Sequence, residues 1–94
     1  MNMREIQKMQ QRLIKMQEEL ENTIFTGTAG GGAVTITMSG KYEITAVKID
    51  PEAFNAEDIA ELEVMVLAAA KDAHNKASEA QQKLTSGLKI PGLF

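Results

Sequence analysis

Residues 26–51 read TGTAGGGAVTITMSGKYEITAVKIDP, and this stretch decides the fold. It is the part of the chain with the two-residue alternation of strands. From Ala33 to Met38, Val34, Ile36 and Met38 fall on one face and Thr35 and Thr37 on the other. Ser39-Gly40-Lys41 is a hairpin turn signal, and Tyr42 to Asp50 is predicted as the next strand, stopped at Asp50-Pro51 because proline cannot donate to a ladder. The apolar residues of that strand change phase between Ile44 and Val47–Ile49, which predicts a bulge or a sheet partly covered on both faces. Upstream, Thr23 to Thr28 (TIFTGT) is β-branched and aromatic and reads as a first strand, with Ala29 to Gly32 (AGGG) as a flexible turn.

On either side the period changes to that of a helix. Ile6, Met9, Leu13, Met16 and Leu20 are spaced 3, 4, 3, 4 apart, the seam of a coiled coil or of a core-facing helix. With about 100° per residue the five span an arc of about 80°. Arg4, Lys8, Arg12 and Lys15 span a second arc of about 80°, read as the side opposite the seam. Glu18, Glu19 and Glu21 load the far end, so the helix is basic at its start and acidic where it meets the sheet.

After the sheet, Asn55 or Asp58 can cap a second helix. Ile59, Leu62, Val66, Ala69, Ala73, Ala77, Ala80 and Leu84 carry it to about Ser86, with Gly87 as the expected C-cap. Its row of alanines offers little apolar area but lets another backbone come close. The expected organisation is therefore α+β in the order α-β-β-β-α within one domain over 1–94. A helical arm covers 1–22, a three-stranded antiparallel sheet 23–50, the second helix 56–86 and an apolar tail 87–94 (GLKIPGLF).

Composition narrows the function. The chain has 94 residues, 44% hydrophobic and 24% charged, with no cysteine and a net charge of −3. A disulfide framework and a thiol nucleophile are excluded. No apolar run is long enough for a membrane span, and the polar start MNMREIQKMQ lacks a signal-peptide core, so the cytoplasm is the expected compartment. His74 is the sole histidine, so any Ser–His–acid set would have to use it, and no enzyme constellation assembles. Asp50, Glu52, Glu57, Asp58, Glu61 and Glu63 cluster around the second helix start, where helix N-terminal electrostatics explain them better than a calcium loop does. TGTAGGG lacks the Lys-Ser or Lys-Thr of a phosphate loop and leads into a strand, not a helix. No metal, cofactor or small-molecule substrate is expected.

Lengths add one inference. A second helix of about 28 residues runs about 42 Å, whereas strands of six to eight residues run about 20–27 Å. A three-stranded sheet cannot cover both helices, so the leftover apolar surface predicts a two-fold homodimer.

The ordered combination of a Gln/Met-rich first helix (MREIQKMQQRLIKMQEELE), TG…GGGAVTITMSG, ITAVKIDP, an Ala-rich helix with AAAKDAHNKASE and a final SGLKIPG resembles the YbaB/EbfC family of bacterial nucleoid-associated proteins. The resemblance covers essentially the whole chain. It implies an α-β-β-β-α homodimer with protruding helical arms that binds duplex DNA, alters its conformation and serves nucleoid organisation and gene regulation. The positions that fit the family's DNA contacts are Arg4, Lys8, Arg12 and Lys15. The alternative reading is an adaptor dimer in which the helical seam and tail hold another protein without direct DNA binding.

Overall fold

A computed structural model describes residues 2–87. Helix α1 (Met3–Glu21) leads into strand β1 (Ile24–Ala29), a 3-10 turn at Gly30–Gly32, strand β2 (Val34–Ser39) and strand β3 (Ile44–Ile49). A second 3-10 turn (Ala56–Asp58) then opens helix α2 (Ile59–Gly87). The strands form one antiparallel sheet in the order β1-β2-β3. The expected α-β-β-β-α architecture is present, with each strand beginning one or two residues later than its sequence pattern suggests.

The alternation of β2 sets the layers. Val34, Ile36 and Met38 point toward α2 and are buried, while Thr35 and Thr37 face the other side of the sheet. Opposite them on α2 lie Ala69, Ala73 and Ala77, each with no exposed surface. The alanine row permits a close approach, and Gly27 of β1 completes it. A methyl group at Gly27 would overlap the Ala69 carbonyl and the Ala73 amide. Phe25, Phe54, Leu62, Met65 and Val66 pack around this thin centre.

The phase change in β3 is a bulge. Thr37 pairs with Ala46 but Met38 pairs with Ile44, leaving Thr45 as the extra residue. Its hydroxyl lies 2.7 Å from that of Thr37. The bulge returns Ile44 to the same face as Val47 and Ile49, the face that β2 buries under α2. Yet α2 lies over β1 and β2 and leaves β3 beside it. Ile44, Val47 and Ile49 are thus 56%, 53% and 40% exposed although they sit on the core side of the sheet.

The capping expectation for the second helix resolves onto both named residues. The Asp58 carboxylate accepts a hydrogen bond from the Asn55 amide at 2.9 Å, and the Asp58 amide donates to the Asn55 carbonyl at 2.9 Å. The helix runs to Gly87, and the apolar tail, with its expected glycine cap geometry, falls at and beyond the last described residue.

Two hydrogen bonds bind α2 to the free edge of β1. The Thr28 amide donates to Asp72 Oδ2 at 3.0 Å, and Lys76 Nζ donates to the Thr26 carbonyl at 2.7 Å. Lys76 also pairs with Asp72 at 3.4 Å. The Thr28 hydrogen bond holds the Asp72 carboxyl below its ordinary value; desolvation opposes it, and the Lys76 side chain adds to the lowering.

The molecule is long. A compact chain of this size has a radius of gyration of about 12 Å. Here it is 18.5 Å, with extents of 66 × 20 × 16 Å.

Candidate nucleic-acid interface

Helix α1 is the element that stands clear of the sheet. Its start is capped by Asn2, whose side-chain oxygen accepts from the Glu5 amide at 2.9 Å. The pattern Asn-x-x-Glu at residues 2–5 is the signal that would have announced this cap. Its last turn contains no basic residue, so neighbouring side chains take the carbonyls instead. Asn22 Nδ2 donates to the Glu18 carbonyl at 3.0 Å, and Thr23 Oγ1 to that of Glu19 at 2.7 Å.

The root of the arm is seated on the hairpin turn. The Gly40 amide donates to the Thr23 carbonyl at 3.1 Å, and Gln81 of α2 donates to the Gly40 carbonyl at 2.9 Å. Gly40 lies so close to α1 that a methyl there would overlap the Leu20 carbonyl. Beyond this root α1 makes few contacts with α2, and no α1 residue is buried.

Arg4, Lys8, Arg12 and Lys15 are all exposed on α1. Successive charges are separated by about 4.5–6 Å of helix rise. Among the described residues the only salt bridge is Lys76–Asp72, so none of these four cations is held by a carboxylate there. The seam residues Met9, Leu13 and Leu20 are half-buried, whereas Ile6 and Met16 are 37% and 36% exposed. One expectation needs correcting. The centres of the basic and apolar arcs are about 120° apart, so the basic stripe flanks the seam and does not back it. Glu5, Lys8, Met9 and Arg12 accordingly line one shallow groove where the two stripes meet.

The remaining cations are scattered. Lys41 is exposed at the hairpin turn, Lys48 stands across from Thr35 on the sheet face away from α2, and Lys76 is engaged with β1. His74 is exposed on α2 with its ring centroid 5.0 Å from that of Tyr42, itself held at φ 66° in the hairpin. No periodicity in the sequence pairs His74 with Tyr42, 32 positions earlier. Among the described residues no group of three or more His, Cys, Asp or Glu could hold a metal ion, and no helix is long and apolar enough to cross a membrane.

The sequence profile of the YbaB/EbfC DNA-binding family matches residues 1–93. The chain belongs to the YbaB/EbfC DNA-binding family. A nucleoid-associated protein of Pelotomaculum thermopropionicum is 47% identical over 96 residues, which covers 98% of this chain and 91% of the relative. A nucleoid-associated protein of Chloroflexus aurantiacus is 44% identical over 102 residues and covers both chains completely. The crystal structure of the uncharacterized protein HP0035 from Helicobacter pylori superposes with a TM-score of 0.72 at 23% identity, covering 89% of this chain and 98% of that one. That likeness bears on the fold alone. The YbaB/EbfC family is described by DNA binding and not by a reaction, in keeping with a site made of cations and apolar side chains.

Proposed function

We propose that this YbaB/EbfC chain is a nucleoid-associated protein that binds duplex DNA mainly through phosphate contacts from α1. The supporting observation is the row Arg4, Lys8, Arg12 and Lys15, exposed on the projecting helix and free of carboxylate partners among the described residues. No base-reading device accompanies it among the described residues, so the contacts position the protein and any sequence preference comes from DNA shape and deformability. A bend or other change in the duplex follows if two arms engage one molecule. Nucleoid organisation and gene regulation in the cytoplasm are the roles this activity serves.

The reading requires two copies. Ile44, Val47 and Ile49 lie uncovered on the core side of the sheet, and Ile59, Val64 and Leu67 are 53%, 66% and 55% exposed on α2. Full burial of an exposed side chain of this kind is worth about 1.5–3 kcal/mol, and these half-exposed ones gain part of that. A two-fold homodimer that closes over β3 covers Ile44, Val47 and Ile49 and presents two basic arms. With both arms engaged, about eight phosphates can be neutralised, which predicts a steep salt dependence.

The test is fluorescence anisotropy of a labelled duplex titrated with protein at several salt concentrations. The expected result is binding that weakens log-linearly with salt and is lost when Arg4, Lys8, Arg12 and Lys15 are all changed to Glu, with the dimer intact. Unchanged binding by that variant would make the stripe a solvated face. The half-exposed seam of α1 favours a second reading, an adaptor that holds another protein. No DNA binding at low salt, together with salt-insensitive capture of a helical partner, would select it.

A further inference from the structure

The two edges of the sheet are protected in different ways. Strand β3 carries Lys48 and the Thr45 bulge, both of which discourage pairing with another strand. Strand β1, IFTGTA, has neither charge nor proline, and its β-branched and aromatic residues match segments that self-associate as strands. Its protection comes from elsewhere in the chain. Thr26 O and Thr28 N point away from β2, so by the two-residue period the outward groups are those of Ile24, Thr26 and Thr28. Asp72 and Lys76 occupy one donor and one acceptor of that row, Thr28 N and Thr26 O.

We propose that the outward edge of β1 is a self-complementary pairing surface that Asp72 and Lys76 hold shut, and that β1 of a second copy takes it when they let go. The geometry favours this occupant. In an antiparallel pair of identical strands centred on Thr26, Thr26 exchanges both hydrogen bonds with its counterpart while Ile24 meets Thr28. That register needs Thr26 O and Thr28 N, the two groups now engaged. Neither strand carries a charge, so two copies meet without the repulsion that a lysine-bearing edge imposes. The resulting contact lies on the opposite side of the sheet from β3, so it adds to any dimer made there and extends it into larger assemblies. It does not depend on the DNA-binding reading.

The test is the double replacement Asp72→Ala and Lys76→Ala in the full chain, with mass measured by sedimentation velocity over a range of concentrations. Both sites are partly exposed and helical, so alanine preserves the helix. The expected result is a mass that climbs with concentration to at least twice that of the unaltered protein. Adding Thr28→Pro, which removes an outward N–H and no bond to β2, should return the mass to the starting value. The chain has no cysteine, so Thr26→Cys in the double variant should form a disulfide across the new pair, and far less of it with Asp72 and Lys76 present. A folded double variant of unchanged mass overturns the proposal, as do larger species that survive Thr28→Pro. Should circular dichroism show the double variant unfolded, Asp72→Ala alone frees the Thr28 amide and is judged by the same two criteria.

Discussion

The two long helices leave one small sheet and meet different fates. Helix α2 lies along β1 and β2 with alanines against a glycine, and Asp72 and Lys76 fasten it to the strand edge. Helix α1 is held at its root by Gly40 and the Asn22–Thr23 corner, and then departs with no buried residue. Intrinsic helix formation does not explain the contrast, because both sequences are rich in strong helix formers. The difference is what each apolar stripe finds. The stripe of α2 finds Val34, Ile36 and Met38, whereas that of α1 passes beyond the sheet. A helix anchored over its length is scaffold. One anchored at its root can carry charge to a partner.

The sharpest way to break the contrast is to unfasten α2. A side chain at Gly27 meets backbone atoms of α2, which cannot swing aside as a flexible side chain would. Gly27→Leu should cost about 3 kcal/mol or more, a large share of the stability of a small domain. Thermal denaturation followed by circular dichroism should show a collapse of the main transition. A transition within a few degrees of the parent would mean that α2 is not seated on β1 as described.

A second change separates the uncovered strand from the anchored ones. Val47→Lys places a charge on the exposed core-side face of β3 and leaves Val34 and Ile36 untouched. If two copies meet there, the variant should be monomeric at concentrations where the parent is dimeric, with affinity reduced by a hundredfold or more. Light scattering across a dilution series checks it. The same mass for both proteins would move the interface elsewhere.

These contrasts were unequally legible in the sequence. The sheet was legible because Val34, Ile36 and Met38 alternate with Thr35 and Thr37, and even the Thr45 bulge announced itself as a phase change. The alanine row also declared its purpose, since small residues at helical spacing have little else to do. The Asp72 and Lys76 contacts were not legible, because they join residues 44 and 50 positions apart and follow no period. The bare β3 face could not be read for another reason. Its pattern matches that of a covered strand, and only the lie of α2 over β1 and β2 shows that no described residue covers it. For the candidate site, the basic stripe on α1 was visible as a periodicity. Its place beside the seam follows from the helical rotation of about 120° between the two stripes, which spacing alone does not display.

The arm itself offers a gentler test. Asn2 is its only side-chain cap at the start, so Asn2→Ala should cost about 1 kcal/mol locally. Because α1 is anchored only at its other end, the loss should appear as fraying of the first turns and leave the main transition in place. Amide hydrogen exchange should quicken in residues 3–7 and stay unchanged in α2. Equal loosening of both helices would show that the arm is coupled to the core along its length.

The smallest expected effect concerns the fastening of α2. The Asp72 carboxyl titrates below its ordinary 3.8 when folded, chiefly because the Thr28 amide donates to the charged form. A depressed carboxyl adds stability above its unfolded value and loses it as pH falls through the folded one. The protein should therefore be slightly more stable than its Asp72→Asn variant near neutral pH. The gap should narrow only below about pH 4, as the native carboxyl takes up its proton and comes to resemble the amide. Lys76 is the charged group facing Asp72, and β1 offers no titratable side chain. Melting temperatures of the two proteins from pH 7 to pH 2 give the comparison. A gap that held constant to the acid end would show that the Asp72→Asn variant fails for reasons of shape, and that the charge on Asp72 contributes nothing to holding α2 against the strand.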